Sequence, residues 1–314
     1  MSIRTAPEAR PTDAAAATPP TGASPRDTGA PQAPRRRRGG GLGINRRPGW
    51  FVYAILLVVL LGSAYPFWWS FVIGSRNNQA LGSAWPPLIP GGNFWSNAAK
   101  VFDAIPFWQA LANSLIVSSV ITVSVVSFAT LAGYAFAKLR FKGRNGLMVA
   151  VIATMAIPTQ LGIIPLFILM RQWGWTGELG AVIVPTLVTA FGVFFMRQYL
   201  VDVIPDELIE AARVDGANMI RTFFHVGLPA ARPAMAILGL FTFMTAWTDY
   251  LWPMLVLPNN PTLQVALGQL QSGYYVDFSI VLTGAILSTL PLLILFLIAG
   301  KQLISGIMQG AVKG

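Results

Sequence analysis

Six stretches of this chain are long and apolar enough to cross a bilayer core of about 30 Å, which takes about 20 helical residues. They run roughly over residues 50–74, 111–137, 147–170, 179–196, 233–257 and 279–303. A backbone facing lipid has to satisfy its hydrogen bonds within its own segment, so each stretch is expected to be a helix. The expected fold class is therefore all-α, a polytopic membrane protein with six transmembrane helices. Composition agrees, because only 11% of the 314 residues are charged, against the roughly 25% that a soluble domain uses to face water. Pro158, Pro165, Pro185 and Pro291 interrupt the stretches and are expected as kinks covered by neighbouring helices.

The polar remainder narrows the chemistry. With no Cys and a single His, His225, the chain has no disulfides, no thiolate metal site and no Cys nucleophile, and it has no set of ligands for zinc. The net charge of +10 would suit nucleic acid, an anionic surface or an orientation signal, and its placement decides between them. Residues 1–49 hold nine Arg against Glu8, Asp13 and Asp27, with almost no large apolar side chain. Such a segment is expected to be a disordered tail. Its arginines, Arg35 to Arg38 and Arg46-Arg47 among them, have no interleaved aromatic residue for base stacking, so nucleic acid is not an expected partner. With the amino terminus inside, 19 of the 22 basic residues fall on the inner side, and only Arg76, Lys100 and Arg171 fall outside. The positive-inside rule then puts both termini in the cytoplasm. Tryptophans such as Trp68, Trp173, Trp247 and Trp252 are candidates for the interfacial belt.

One inner loop differs from its surroundings. Residues 201–232 hold Asp202, Asp206, Glu207, Glu210 and Asp215 against three arginines, a local −2 on an otherwise basic side. Asp206, after Pro205, is expected to cap a helix that carries Leu208, Ile209 and Ala212. Gly216 ends that helix with a left-handed residue, and a second helix over 218–226 is expected to stop before Leu228-Pro229. An amphipathic pair lying on headgroups is one reading. The acidic first helix suits a groove on a protein partner better.

The residues in this loop carry a family resemblance. Glu210-Ala211-Ala212, three residues, Gly216, nine residues, Val226, one residue and Leu228-Pro229 resemble the EAA motif of ABC-importer permeases, E-A-A-x3-G-x9-I-x-L-P, with Val226 as the sole departure. Asp215 falls in the matching Asp215-Gly216-Ala217 run. The ending Gly306-x3-Gly310-Ala311-Val312-Lys313-Gly314 is similar to that of MalG-like permeases of the carbohydrate-uptake class. Asn113-Ser114, Ile157-Pro158, Ile164-Pro165-Leu166 and the stretch Trp247 to Pro253 are similar to that class too, although Trp247-Thr248-Asp249-Tyr250 replaces a common W-N-E-F.

The resemblance covers about 50–314. It implies a type I ABC importer permease fold in the bacterial plasma (inner) membrane, importing a sugar or oligosaccharide. It also implies a coupling helix in the 201–232 loop, and a carboxyl tail reaching toward the ATPase subunits. The implied partners are a MalF-like second permease subunit, two cytosolic ABC ATPase subunits that bind the ATP, and an extracytoplasmic sugar-binding protein. The chain has no Walker A loop, so no enzyme activity or bound cofactor is expected of it. Polyols and glycerol phosphate are the alternative solutes. A secondary transporter would carry coupling carboxylates in its spans, where Asp249 is the one clear case. Asp249 and Asn113 are the candidate pathway residues, each with a structural hydrogen-bonding role as its alternative. His225 is expected as an interface or packing residue.

Overall fold

The computed structural model describes residues 49–82, 85 and 87–311, with the side chains of 299 and 301–311 not described. The expected disordered tail up to residue 48, and Val312, Lys313 and Gly314 of the expected ending, lie outside the described residues. Internal contacts divide the chain into residues 1–54, of which Gly49 and the start of the first helix are described, and residues 55–314, which hold the rest of that helix and every later one.

The helices are α1 (Trp50–Gly74), α2 (Phe94–Ala104), α3 (Phe107–Lys138), α4 (Arg144–Met155), α5 (Ile163–Gln172), α6 (Gly180–Ile183), α7 (Ala190–Val203), α8 (Asp206–Val214), α9 (Met219–Thr222), α10 (Leu228–Thr248), α11 (Leu251–Val256), α12 (Leu263–Gln269) and α13 (Phe278–Ala311). Five of the described spans are long and apolar enough to cross a membrane, and there are six if the bent pair Arg144–Met155 and Thr159–Gln172 counts as one. The first expected span coincides with α1, and the last with α13, through which Pro291 passes without a break.

The middle spans are more broken than kinks. The pair around Pro158 bends by 86°. Pro158 has no N–H to donate, and its ring pushes Ile157 away from helical backbone angles. Pro185 sits in the 3-10 turn Val184–Thr186, after which Thr189 takes an extended backbone and its hydroxyl accepts from Gly192 N at 3.2 Å, capping α7. The fifth span is interrupted where Asp249 turns extended between α10 and α11.

The bundle is organised by α3, which packs most extensively on α7 and α10. At the Lys138 end of α3, Tyr134, Met196, Leu200, Ile204, Ala231 and Leu238 close one apolar cluster. Val117, Ile121, Met170, Val182 and Trp252 form a second, and Val101, Phe107, Trp247 and Leu263 a third. Trp247 and Trp252 are thus core residues rather than belt anchors. Their indole N–H groups donate to Ser288 O at 3.3 Å and Ala181 O at 3.0 Å, which is what a buried indole requires.

A close approach of α3 to α7 is at Gly133, where a Cβ would lie 2.7 Å from Met196 Cβ and 2.8 Å from Arg197 N. Backbone there meets backbone and a Cβ, neither of which can swing aside. Gly133→Leu should therefore separate α3 from α7, destabilising the protein by about 1–3 kcal/mol, with Gly133→Ala the milder change. Thermal unfolding of the detergent-solubilised chain, followed by tryptophan fluorescence, measures both.

Candidate functional site

The motif loop folds as two short helices anchored to the bundle. Helix α8 begins after Pro205, and the Asp206 side chain does not cap it. Asp206 instead accepts from Lys138 Nζ at 2.8 Å, across from the last residue of α3. Capping loses because Pro205 already supplies an extended entry, while a nearly buried ammonium needs a counterion: the Lys138 side chain is 4% exposed and that of Asp206 is 74% exposed. The hydrogen bond and charge of Lys138, reinforced by Arg140 and Arg144, hold the Asp206 carboxyl below the usual carboxylate range.

Gly216 has φ +77°, as expected for a helix stop. Its amide donates to Arg213 O at 3.0 Å and the Ala217 amide to Ala212 O at 2.9 Å, the paired bonds of a Schellman ending. Asn218 then caps α9 by accepting from Arg221 N at 2.8 Å.

The second loop helix does not stop before Leu228-Pro229. It passes through a π-helical turn, Phe223–Gly227, directly into α10. The Leu228 amide reaches back to Phe223 O. The wider turn absorbs the extra residue and seats Pro229 where no amide donor is needed.

Each loop helix has two faces. Ile209 and Phe223 are buried in the cluster with Tyr134, Met196 and Leu200, and Val226 and Leu228 pack against that cluster. Phe223 meets the Tyr134 ring edge-on at 5.2 Å. Outward, Leu208, Val214, Met219, Ile220 and Phe224 are exposed, together with Glu210, Ala211, Asp215 and Gly216, while Ala212 is half-buried. His225 is exposed and bonds Arg221 O at 2.9 Å. Five large apolar side chains are thus exposed beside carboxylates, on helices anchored to the bundle by Ile209 and Phe223.

A second feature lies within the spans. A cavity of 550 Å³ is lined by Thr186, Thr189, Thr242, Thr245, Thr248 and Asp249, with Phe191 and Phe241 among its apolar neighbours. Thr245 donates to Thr242 O at 2.9 Å and Phe241 O at 3.0 Å, Thr248 to Met244 O at 2.8 Å, and Thr186 to Ile183 O at 3.0 Å. With their protons used within the helices, these hydroxyls offer oxygen lone pairs to a donor in the cavity. Asp249 stands between α10 and α11, and its carboxylate lines the cavity near the backbone amides of Tyr250, Leu251 and Trp252.

Asn113 lies elsewhere. It is buried, and its amide donates to Asn260 Oδ1 at 2.7 Å and Pro261 O at 2.9 Å, tying α3 to the segment before α12. Gly310 and Ala311 fall in the last turns of α13. The threonines were not singled out from sequence. Their signal is the spacing Thr242-x2-Thr245-x2-Thr248, which places three hydroxyls along one face of α10.

The family described as "Binding-protein-dependent transport system inner membrane component" matches residues 127–307. The arabinooligosaccharides transport system permease protein AraQ of Halalkalibacterium halodurans is 36% identical over 210 residues, 66% of this chain and 75% of that protein. The lactose transport system permease protein LacG of Rhizobium radiobacter is 33% identical over 272 residues, 85% and 97% of the two chains. The sn-glycerol-3-phosphate transport system permease protein UgpE of Pectobacterium atrosepticum is 28% identical over 270 residues, 82% and 95%. The crystal structure of a bacterial ABC transporter involved in the import of the acidic polysaccharide alginate aligns with a TM-score of 0.68 at 27% identity, covering 80% of this chain and 95% of that one.

The unequal burial of the Lys138–Asp206 pair makes its two deletions unequal. Asp206→Asn strands a nearly buried ammonium and should cost about 1–3 kcal/mol, whereas Lys138→Met leaves a carboxylate that water already solvates and should cost less. Because the Asp206 carboxyl titrates low in the folded chain, its contribution is present at neutral pH and disappears as pH falls through that lowered value. Hydrogen exchange of the α8 amides, compared between the two variants and on acidification of the wild type, reads all three effects.

Proposed function

Because the chain belongs to the inner-membrane components of binding-protein-dependent transport systems, the permeases of ABC importers, we propose that it lines one half of a path for a neutral sugar or oligosaccharide. The observation that carries the substrate class is the cavity's lining: five threonine hydroxyls, two phenyl rings, one carboxylate and no Lys or Arg. Hydroxyl-rich solutes donate to such oxygens and lay their C–H faces on aromatic rings. A phosphate-bearing solute would meet Asp249 with no cation to balance its charge. The names of the arabinooligosaccharide and lactose permeases among the relatives support the same class.

The rest of the assembly follows the family reading. A MalF-like second permease completes the path, an extracytoplasmic binding protein delivers the solute, and two cytosolic ATPase subunits bind and hydrolyse ATP. The exposed face of α8 and α9 supports docking on an ATPase subunit, with Glu210, Ala211, Ala212, Asp215 and Gly216 at the contact and Val226, Leu228 and Pro229 joining it to α10. The concentration of basic residues on one side supports cytoplasmic termini, and with them a cytoplasmic docking face. Closure of the ATPase pair shifts the bundle between inward-open and outward-open states only through its different contacts with each. Movement reaches α10 because Ile209 and Phe223 are buried in the end of the bundle, so the loop moves as a solid lever. The family reading assigns the carboxyl-terminal residues Gly310 and Ala311 to the same partners, and Val312, Lys313 and Gly314 of that ending lie outside the described residues.

Uptake by the complete transporter in proteoliposomes tests both halves of the proposal. Glu210→Lys and Gly216→Pro, the latter incompatible with φ +77°, should leave membrane insertion intact and abolish ATP-dependent uptake; wild-type uptake by either at equal expression rejects the docking assignment. Thr242→Val with Thr245→Val should weaken neutral-sugar uptake about tenfold, the loss of one or two hydrogen bonds, without changing ATP hydrolysis at rest. Preferred uptake of glycerol phosphate over a disaccharide would reverse the substrate assignment.

A further inference from the structure

A cavity of 860 Å³ opens where α3 ends, α4 begins and α7 passes into α8. It is separate from the threonine-lined cavity, and the outward apolar face of the loop helices does not contribute to it. Its charged lining consists of Lys138, Arg140, Arg144 and Arg197 against Asp206 and Glu207. Lys138 and Asp206 satisfy each other at 2.8 Å, and among the described residues theirs is the one ion pair. Three guanidinium groups therefore face the cavity with Glu207 as the remaining carboxylate. Arg144 donates one bond to Leu139 O at 3.3 Å and Arg197 one to Gln198 Oε1, which orients each group and leaves most of its five donors unspent. Planar forks lining one cavity match the oxygens of a phosphate.

The position of the cavity indicates which phosphate. Lys138 is the last residue of α3 and Arg144 the first of α4, so the cavity lies at the depth where apolar span gives way to water. Helix α4 continues from the cavity as a nearly uncovered apolar rod. It buries Met148 alone, while Leu147, Val149 and Ile152 are exposed. A soluble phosphate has no use for an apolar track leading away from its site, whereas acyl chains require one. A basic pocket between helices, at headgroup depth and continuous with exposed apolar surface, is the arrangement that holds an acidic lipid.

We propose that this cavity binds the phosphodiester of an anionic phospholipid, with Arg140, Arg144 and Arg197 on the phosphate oxygens and the acyl chains along α4.

The test uses the full-length chain with the subunits that purify with it, delipidated in detergent and titrated with phosphatidylglycerol or with phosphatidylcholine of the same acyl chains. Native mass spectrometry counts the bound lipid. Phosphatidylglycerol should bind in preference, and Arg140→Gln with Arg144→Gln should weaken it on the order of 30-fold, the expectation for two basic side chains withdrawn from an anionic headgroup. Arg76→Gln, away from the cavity, should leave binding unchanged. Arg140→Lys with Arg144→Lys keeps the charge and the fold but loses the forks, and should weaken binding severalfold. Equal binding of the two lipids, or unchanged phosphatidylglycerol binding in both paired variants, overturns the proposal. Displacement of the lipid by millimolar inorganic phosphate assigns the cavity to a soluble phosphate instead. Loss of the accompanying subunits with lipid preference intact assigns the arginines to a protein surface.

Discussion

A backbone group in hydrocarbon has no water to turn to, and that constraint arranges this molecule. Unbroken helix is the cheapest solution, and α1, α3 and α13 adopt it along their whole length. Breaks are tolerated where the freed groups find a partner or face a cavity. The turn at 184–189 and the interruption at Asp249 meet this condition in one place, because Thr186, Thr189, Thr248 and Asp249 all line the same cavity. Thr189 supplies an oxygen to the first turn of α7, and Asp249 stands between α10 and α11 with its carboxylate near the amides that open α11. The hydroxyl-rich lining and the helix breaks thus fall in one place, and the Thr189 side chain that caps α7 also lines the cavity.

The loop of α8 and α9 beyond the spans follows a different rule. Outside the bilayer a loop can be solvated, and two short helices of nine and four residues would not persist alone. Burial of Ile209 and Phe223 supplies what local propensity lacks, each contributing about 1.5–3 kcal/mol. The π-turn then makes the loop continuous with α10, so no flexible hinge separates the exposed apolar face from the helix that carries three of the cavity threonines.

Much of this was legible in the sequence because it rests on local or periodic signals. The 25 residues of α1 announce themselves by uninterrupted apolarity, and Gly216 marks a left-handed stop that no other residue takes as readily. What was not legible depends on partners distant in sequence. Asp206 had two outlets, a helix cap or a cation, and the choice turned on Lys138, 68 residues away. Trp247 and Trp252 read as interfacial by type, yet acceptors on Ser288 and Ala181 allowed them inside. Pro158 was visible, but whether a proline bends a helix slightly or by 86° depends on what surrounds it. The threonine stripe on α10 was present at helical spacing and overlooked because threonine in an apolar span is so often a donor to its own helix. Here Thr245 and Thr248 are that, and all three line the cavity as well.

The close approach at Gly133 has a consequence for inheritance. With Met196 Cβ and the Arg197 amide both within 2.8 Å of where a side chain would begin, the site accepts nothing larger unless α7 moves, and α7 carries Phe191 near its start and Arg197 at its middle. The cavity lining can change threonine by threonine, but the chain cannot change at this glycine without disturbing Phe191 and Arg197, and with them both cavities that α7 lines. Variation among descendants should therefore gather in the cavity lining before it reaches Gly133, which stays as a fixed pivot between α3 and α7.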